Sequence, residues 1–386
     1  MTIEVAYHLN EPIFFQAFLA AFDMSMSTSF HGDTSRIDAV QVDDAASLDS
    51  SLVSVWREIT QCDESFSHPH FCPEFAIAAG KTLPGVKVAT LFSGNSPLGF
   101  FAFQQEGKVG WPVGYPFSET HGIVHRPGLE IDGLKLCREV GLSAWHFDHL
   151  PVTQTWSQAY QKAHDDAAWV ELSGDFEAYL EGRRKSGTSQ LKQAERKRRK
   201  LAREVGVVRY VDQVTDREHL ETMIRWKHDQ TSQGKSGGVF ESECTREFLS
   251  EVLKIQEPSV RGQLSGLFAD DQPVALHFGM QCRSSYVSMI PAHDPDFSRY
   301  SPGLILHLDM FRAACEQGVT DIDLGRGINR VKAALMTSTR KLAMGSVDRR
   351  PLRRFATNSW YRLRNFAHTS QLGNRLLMLS RQMKWR

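Results

Sequence analysis

The sequence has 386 residues and lacks long hydrophobic runs, cysteine pairs and net charge. No run of about 18 apolar residues occurs, so no membrane-spanning helix is predicted. The six cysteines include no CxxC pair, and the 15 histidines include no HExxH motif. These absences indicate reduced thiols, a cytoplasmic setting and no metal site. The formal net charge of +0 gives no reason to expect DNA as a partner.

Residues 1–46 are predicted to form a flexible N-terminal segment. Pro12–Asp23 resembles the core of a signal peptide, but no Lys or Arg precedes it. A translated upstream leader, with Met24 or Met26 as the true start, is an alternative hypothesis. Residues 24–46 are rich in Ser, Asp and Thr, a composition typical of loosely ordered chain.

Two segments of the chain recur in the same order, which indicates duplication of one unit. Leu91–Gln105 aligns without gaps with Leu267–Gln281, and the two share the Leu-Phe start, one Pro and the final Gln. Farther along, Cys137–Leu150 aligns with Cys315–Gly325 at nearly the same offset. Each unit is predicted to be an antiparallel meander followed by a helix and one further strand.

The duplication and the chain length favour two domains. The predicted fold is of the α+β class, with mixed, mostly antiparallel sheets flanked by helices. The first domain is assigned to residues 47–170 and the second, with the ligand site, to residues 171–348. Residues 349–386 are predicted to form a basic amphipathic tail.

The stretch from Tyr286 to Gly327 has the pattern of strand, turn, helix and strand. Pro302 in the first helical turn and Gly318 just past the last one mark the helix ends. A helix that begins in a small-residue turn presents free N–H groups, so a pyrophosphate would find donors at Tyr300–Leu304. The alternative is an ordinary crossover with a well-capped helix.

A strongly basic helix is predicted between the two copies. Gln190–Val205 carries seven Lys and Arg residues and has high helix propensity. Such a run is either a solvated helix face or a surface for a polyanion, such as nucleotide phosphate, RNA or an acidic sugar chain.

Six motifs, taken in order, resemble the Fem/CelD-like branch of the GNAT acyltransferase superfamily. They are Pro73–Phe75, Arg183–Glu204, Trp226–Gln230, Val274–Met280, Tyr300–Gly303 and Asp323–Gly327 with Lys332. The sequence is most similar to acetyltransferase-like proteins of bacterial holdfast and exopolysaccharide synthesis. The resemblance implies two GNAT-like folds in tandem, an acyl-CoA donor such as acetyl-CoA, and a sugar acceptor.

The resemblance also places the pantetheine arm of the donor where Tyr286–Ala292 splays from Thr320–Leu324. Unpaired backbone groups in such a splay can accept an acyl-pantetheine as an added strand. The family's Arg/Gln-x-x-Gly-x-Gly loop is present here only in the reduced form RYSPG. The implied donor-binding residues are Met289, Ile290, Arg299, Tyr300, Ser301, Pro302, Gly303 and Leu304.

Direct acyl transfer needs a base, a group that polarises the carbonyl and an acid for the departing thiol. Asp323, near the end of the last strand, and His277, on a neighbouring strand, are the predicted catalytic residues. Lys332, Lys227 and His293 are predicted to contact the acceptor. The alternatives are a capping role for Asp323 and a core position for His277.

The C-terminal residues 340–386 include twelve Lys and Arg and a single acidic residue, Asp348. Bases interleaved with aromatic residues and leucine suit an anionic inner-membrane surface. The alternative is a basic helix packed on the domain.

Paired guanidinium groups chelate phosphates and stack on guanine. Because the family resemblance implies responsiveness to cyclic-di-GMP, Arg349, Arg350, Arg353 and Arg354 are the predicted dinucleotide site. The alternative is a solvated basic turn.

Three functions stay open on the sequence. The first is N-acetylation of an amino sugar in a surface polysaccharide, a nucleotide-sugar or a lipid-linked sugar, by a cytoplasmic enzyme attached peripherally to the inner membrane. The second is a catalytically inactive scaffold that binds cyclic-di-GMP at the membrane. The third is an aminoacyl-tRNA-dependent transferase of the Fem type.

Overall fold

Segments with alternating apolar side chains form the strands of one large sheet. The structure, a computed structural model, describes residues 36–231, 237–351 and 353–354. The strands of the N-terminal half are β1 (Ala39–Asp44), β2 (Val86–Ser93), β3 (Ser96–Glu106), β4 (Val109–Trp111), β5 (Ile123–His125), β6 (Ala144–Pro151) and β7 (Gln161–Glu171). Those of the C-terminal half are β8 (Val208–Val211), β9 (Gln256–Glu257), β10 (Val260–Ala269), β11 (Gln272–Cys282), β12 (Ser285–His293), β13 (Asp321–Arg326) and β14 (Ser338–Asp348).

Helices cover both faces of this sheet. Those of the N-terminal half are α1 (Ser50–Cys62), α2 (Pro73–Thr82) and α3 (Gly133–Glu139). Those of the C-terminal half are α4 (Phe176–Lys185), α5 (Gln190–Glu204), α6 (Arg217–Thr231), α7 (Glu243–Leu253), α8 (Pro302–Glu316) and α9 (Arg330–Leu335). Among the helices that the structure describes, none has the length and apolar character needed to cross a bilayer.

The two halves repeat one pairing scheme. In the first half, β1 to β4 are joined by antiparallel pairings and β4 pairs with β6 in parallel. In the second half, β8, β10, β11 and β12 are antiparallel and β12 pairs with β13 in parallel. The aligned segments Leu91–Gln105 and Leu267–Gln281 both contain the turn between the second and third strands of the meander. The predicted fold class, with its duplicated and mostly antiparallel architecture, is confirmed.

The last strands of the two halves are exchanged, so the sheet is continuous. Strand β14, from the end of the chain, lies between β6 and β7, and β7 lies between β14 and β13. The predicted boundary at residues 170 and 171 therefore falls at the end of a strand that pairs on both sides with strands of the C-terminal half. Two separate sheets were expected, and one shared sheet is observed.

A shared hydrophobic core also joins the halves. On one side of the sheet, Trp56 and Phe75 from α1 and α2 belong to the same buried cluster as Ile224 and Phe248 from α6 and α7. The rings of Phe75 and Phe248 meet edge to face at 5.7 Å. Truncating such a buried aromatic residue to Ala typically costs about 3–5 kcal/mol of stability.

The N-terminal prediction is wrong in one part. Ala39–Asp44 forms the edge strand β1, with Val42 opposite Ala89 on β2, although residues 1–46 were expected to be flexible. Its polar composition resembles a loop, but an edge strand gains its stability from pairing with its neighbour. Pro12–Asp23, Met24 and Met26 lie outside the described residues, as does the basic tail from residue 355 onward.

Candidate active site

Strand β12 separates from strand β13 after a short parallel ladder. The ladder runs from Ser285↔Asp321 to Val287↔Asp323. Beyond it, Ser288–His293 has no strand partner on that side within the described part of the chain. The predicted separation of the two strands is confirmed, and backbone groups of β12 face a cavity of ≈ 520 Å³.

One extra residue in β12 accompanies this opening. Phe278 pairs with Ile290 and Gly279 pairs with Ser288, so Met289 has no counterpart on β11. A bulge of this kind bends the strand and re-aims its backbone groups. Met289 lines the cavity, whereas the neighbouring Ile290 is buried in the core.

The cavity collects most of the predicted ligand residues. Five of the predicted donor residues line it, namely Met289, Ser301, Pro302, Gly303 and Leu304. The three predicted acceptor residues also line it, namely Lys227, His293 and Lys332. Segments far apart in the sequence therefore meet at one place, and the binding roles of these residues stay predictions.

Three predicted donor residues lie elsewhere. Ile290 points into the core, and Tyr300 is fully buried with its hydroxyl donating to Glu204 Oε2 on α5 at 2.9 Å. Arg299 is exposed, with its guanidinium 4.7 Å from the centre of the Tyr300 ring. The short turn before α8 directs these two side chains toward α5 rather than the cavity, so the geometry does not support a donor role for them.

The N-terminus of α8 opens onto the same cavity. Within the described chain, no side chain caps the first turn of this helix. Ser301 precedes it with a left-handed backbone (φ 51°), and its hydroxyl accepts a hydrogen bond from Lys197 Nζ at 2.5 Å. A Cβ atom at Gly303 would meet no heavy atom within 4 Å. An open helix end with a lysine beside it suits an anion such as a pyrophosphate.

Two lysines contribute positive charge to the cavity. Lys227 Nζ donates to Pro291 O at 3.1 Å, and Lys332 Nζ donates to Arg326 O at 2.9 Å. Burial lowers the pKa of both amines, and the charge of Lys332 lowers the pKa of Lys227 further. His293 lies on the same wall, and burial lowers the pKa of its ring. The cavity thus suits a ligand that carries negative charge.

His277, a predicted catalytic residue, lies in the core instead. Its ring is fully buried, with Nε2 2.7 Å from Ser288 Oγ and Nδ1 3.2 Å from the Tyr286 hydroxyl. Burial holds its pKa well below the ordinary value, so the ring stays neutral. His277 does not line the cavity itself and meets it through Ser288 and through His307, whose ring centre lies 5.6 Å away. The core position weighed as its alternative therefore fits the geometry better.

Asp323, the other predicted catalytic residue, lies behind the cavity wall. Its Oδ1 accepts a hydrogen bond from Gly325 N at 2.7 Å, which is a local turn-capping contact. Its Oδ2 lies 3.3 Å from Nε2 of His68, a residue of the N-terminal half. Both side chains are nearly fully buried, and among the described residues neither atom has a well-formed hydrogen bond.

Glu119 is a cavity residue that the sequence analysis did not identify, as are Gln190, Gln230, His307 and Asn329. Glu119 comes from the N-terminal half and lines the cavity. Its Oε2 accepts a hydrogen bond from Arg326 N at 3.4 Å and lies 3.6 Å from His149 Nε2. Burial and the charge of Asp323 raise the pKa of its carboxyl.

Gly325 makes the position of Glu119 possible. Its φ of 82° is left-handed, and an added Cβ would lie 2.8 Å from Glu119 Oε2. A side chain at this position would therefore both strain the backbone and displace the carboxylate. The sequence shows a glycine directly after Asp323 and Leu324. It does not show that this glycine contacts Glu119, because Glu119 lies about two hundred positions earlier.

Three side chains of the N-terminal half lie close enough to share a metal ion, namely His121, Asp148 and His149. Several of the candidate ligand atoms make hydrogen bonds, although His121 Nδ1 has no hydrogen-bond partner among the described residues. His121 Nε2 accepts from the backbone N–H groups of residues 148 and 149, each at 3.2 Å, and His149 Nδ1 bonds to Asp148 Oδ1 at 2.9 Å. We assign no metal here, and the expectation of none stays a prediction.

The corresponding opening in the first half is closed. Strand β4 leaves β6 after Gly110↔Trp145, but Trp111 stacks on His146 at 4.7 Å. The helix that follows, α3, is capped by Asp132, whose Oδ1 accepts from two backbone N–H groups of its first turn. The first copy therefore lacks both the open gap between neighbouring strands and the uncapped helix N-terminus that the second copy has.

The four arginines predicted to bind cyclic-di-GMP differ in their environments. Arg349 Nη1 donates to Leu142 O at 3.1 Å. Arg350 forms a bidentate pair with Asp348, with distances of 2.8 and 2.7 Å. Arg353 and Arg354 are exposed. Their role in binding a dinucleotide stays a prediction.

Residues 188–333 match the family model of an acetyltransferase (GNAT) domain. The matched segment contains β12, α8, β13 and Lys332, which form most of the cavity, whereas Glu119 lies outside it. The chain thus carries a GNAT acetyltransferase domain, and the protein is an N-acyltransferase of this type. A GNAT domain implies an acyl-CoA donor.

The chain is also similar to solved structures, although no curated protein matches it. It resembles FemX with a TM-score of 0.51 and 11% identity, covering 79% of this chain and 97% of that one. A tandem GNAT protein from the clavulanic acid biosynthesis pathway matches with a TM-score of 0.47 and 11% identity, covering 81% and 99%. A GCN5-related N-acetyltransferase from Sphaerobacter thermophilus matches with a TM-score of 0.39 and 10% identity, covering 81% and 97%. At these identities the likeness to FemX shows the fold alone.

Proposed function

We propose that the protein transfers an acetyl group from acetyl-CoA to the amino group of a sugar used in a bacterial surface polysaccharide, such as a holdfast or exopolysaccharide. The observation that carries this proposal is the separation of β12 from β13 in front of the open N-terminus of α8. The gap between β12 and β13 and the N-terminus of α8 line the same cavity. Transfer from a long thioester donor that carries a pyrophosphate requires both features in one place.

The donor fits this cavity in two parts. The edge of Ser288–His293 offers backbone donors and acceptors with which a pantetheine arm would pair as an added strand. The backbone N–H of Gly303 and the ammonium of Lys197 then receive the pyrophosphate. The chain supplies binding and orientation for the donor, while the reactive thioester belongs to the donor itself.

The polar wall of the cavity supports a sugar as acceptor. The amide side chains of Gln190, Gln230 and Asn329 line it and match the hydroxyl groups of a sugar. Lys227 and Lys332 match a negative group on the acceptor, such as the diphosphate of a nucleotide-linked or lipid-linked sugar. The same ammonium groups would stabilise the negative charge that develops on the thioester oxygen during transfer.

The proposed function includes regulation by cyclic-di-GMP and a location at the inner membrane. Exposed Arg353 and Arg354 support a cyclic-di-GMP site, although Arg350 would first have to leave its bidentate pair with Asp348. The basic composition of residues 355–386 supports attachment to the inner-membrane surface.

Calorimetric titration of the full chain tests the donor assignment. We expect acetyl-CoA to bind, and Lys197→Met to weaken binding by about tenfold or more because a charged hydrogen bond is lost. Lys192→Met is the matched control, since Lys192 is exposed on the same helix and should leave binding unchanged.

Transfer to UDP-linked amino sugars, followed by mass spectrometry, tests the acceptor. A mass gain of one acetyl group on the sugar is the expected result. A wild-type chain that binds no acetyl-CoA would contradict the proposal and favour the inactive scaffold or the aminoacyl-tRNA-dependent transferase.

A further inference from the structure

Among the described residues that line the cavity, three could take a proton from an acceptor amine, namely the carboxylate of Glu119 and the neutral rings of His293 and His307. Burial lowers the pKa of both rings and so weakens them as bases, whereas burial raises the pKa of the Glu119 carboxyl and strengthens it. His307 Nδ1 is also already bonded to Gly303 O at 2.6 Å. Glu119 is the only acidic residue among the described ones that line the cavity. Asp323 and His277, the residues selected on sequence grounds, do not line it. Glu119 is also the residue through which the N-terminal half reaches the cavity.

The position of Glu119 is fixed from three directions. Its backbone N–H donates to His70 Nδ1 at 3.1 Å, which anchors the loop that carries it. Its carboxylate lies directly over Gly325, in the space that any Cβ there would fill. The N–H of Arg326 donates to the same carboxylate. A side chain held in this way is oriented before the substrates arrive, as a catalytic group requires.

We propose that Glu119 is the general base of the transfer reaction, supplied by the N-terminal half to a donor site built by the C-terminal half. This inference rests on the function proposed above. It assigns the first copy of the fold a role in catalysis and explains why a glycine stands at position 325 within β13.

Transfer proceeds by addition of the acceptor amine and loss of the thiol. The acceptor nitrogen forms a bond to the carbonyl carbon of the thioester while a carboxylate oxygen of Glu119 takes a proton from that nitrogen. The carbon–sulfur bond then breaks, and the electron pair leaves with sulfur. The departing thiolate takes up the proton held by Glu119, which restores the carboxylate and releases the free thiol and the N-acetylated sugar.

The charged groups around Glu119 explain how it could act near neutral pH. Burial and the negative charge of Asp323 on β13 raise its pKa, while His149 on β6, Lys332 on α9 and the Arg326 N–H lower it. The net direction is upward, so the carboxylate is a stronger base than an exposed one. Asp323 is thus a tuning residue for Glu119 rather than a catalytic residue.

A path also connects Glu119 to the surface. His149 Nε2 lies 3.6 Å from Glu119 Oε2, and His149 Nδ1 bonds to Asp148 Oδ1 at 2.9 Å. The Asp148 carboxylate is partly exposed and lies 3.5 Å from Arg326 Nη1. This chain of groups allows protons to equilibrate between the cavity and solvent.

The test compares kcat/KM for acetyl transfer in the wild type, Glu119→Gln and Asp323→Asn, with the same donor and acceptor across pH. Glu119→Gln should lower kcat by about 10²–10⁴-fold and leave the Kd for acetyl-CoA unchanged. Glu106→Gln is the matched control, because Glu106 is exposed at the end of β3 and should leave both quantities unchanged.

The pH profile separates a tuned base from a merely structural carboxylate. Activity should fall as pH decreases through the raised pKa of Glu119. Removing the charge of Asp323 lowers that pKa, so the acid limb for Asp323→Asn should move to lower pH. Because the substrates are the same in both profiles, their own ionisation cancels in the comparison.

Two results would overturn the inference. One is a Glu119→Gln protein that transfers acetyl groups at nearly the wild-type rate. The other, which does not depend on that variant folding, is an acid limb that Asp323→Asn leaves in place. Failure of the proposed function looks different, because then the wild type itself neither binds acetyl-CoA nor acetylates a sugar.

Discussion

Replacement of Gly303 by Ala should stabilise the protein and weaken donor binding at the same time. Gly303 is the second residue of α8, and an added Cβ there would touch no heavy atom within 4 Å. The substitution therefore introduces no clash in the free protein. Because Cα–Cβ bonds in a helix tilt toward its N-terminus, the new methyl group points to the place where the pyrophosphate would lie.

The two effects can be estimated separately. Gly→Ala at a compatible position adds about 0.4–1 kcal/mol of stability, because the unfolded chain loses freedom. For a chain of this size that raises Tm by roughly 0.5–1.5 °C. Losing one hydrogen bond to a charged group removes about 1.5–3 kcal/mol of binding energy. That loss corresponds to an increase in the Kd for acetyl-CoA of roughly 10- to 150-fold.

Calorimetry with acetyl-CoA and thermal unfolding measure both quantities on the same sample. Gly182→Ala is the matched control, because Gly182 lies in helix α4, also has open space around its Cβ position and does not line the cavity. It should reproduce the gain in Tm without changing Kd. S-acetylpantetheine, which lacks the pyrophosphate, should be used equally well by Gly303→Ala and the wild type. Unchanged acetyl-CoA affinity, or equal losses for both donors, would refute the placement of the pyrophosphate.

Three further predictions concern the rest of the chain. Lys227→Met should raise KM for a nucleotide-linked amino sugar while leaving the Kd for acetyl-CoA unchanged, and an unaltered KM would show that the acceptor's negative group lies elsewhere. His277→Gln should lower the free energy of unfolding in urea by about 1–3 kcal/mol, because buried hydrogen-bonding partners lose their geometry, with little change in kcat; a large loss of kcat would restore His277 as a catalytic candidate. Asp348→Asn releases Arg350 from its bidentate pair, so cyclic-di-GMP should bind more tightly by calorimetry, and no change in Kd would argue against this arginine cluster as the dinucleotide site.

Local patterns in the sequence were sufficient to predict the central strand, helix and strand. Alternating apolar residues, Pro302 at the first helical position and Gly318 past the last turn describe backbone geometry over a few residues, and the structure places β12, α8 and β13 accordingly. The repeated hairpin was also predictable, because its two copies keep the same spacing of turn and strand residues. Gly303 could be assigned to the ligand site for the same local reason.

Contacts between the two halves could not be predicted in this way. The exchange of β7 and β14 depends on which strand edges remain unpaired after each half has formed. A pattern over a few residues cannot predict which edges these are. The contacts of Glu119 with Gly325 and of His68 with Asp323 join residues about two hundred or more positions apart. The full burial of His277 could not be predicted either, because alternation along β11 gives the face of a residue but does not show whether its hydrogen bonds are satisfied.

The exchanged strands give the two halves a fixed relative position, and this matters most for a catalytic carboxylate. A general base works only within hydrogen-bond reach of the proton that it removes. Glu119 comes from a loop of the first half, so a hinge between independent domains would carry it out of range. The continuous sheet and the shared core of α1, α2, α6 and α7 prevent such movement. In the proposed mechanism, the first half therefore has no open gap between β4 and β6, where Trp111 stacks on His146, but it supplies the catalytic carboxylate to the cavity of the second half.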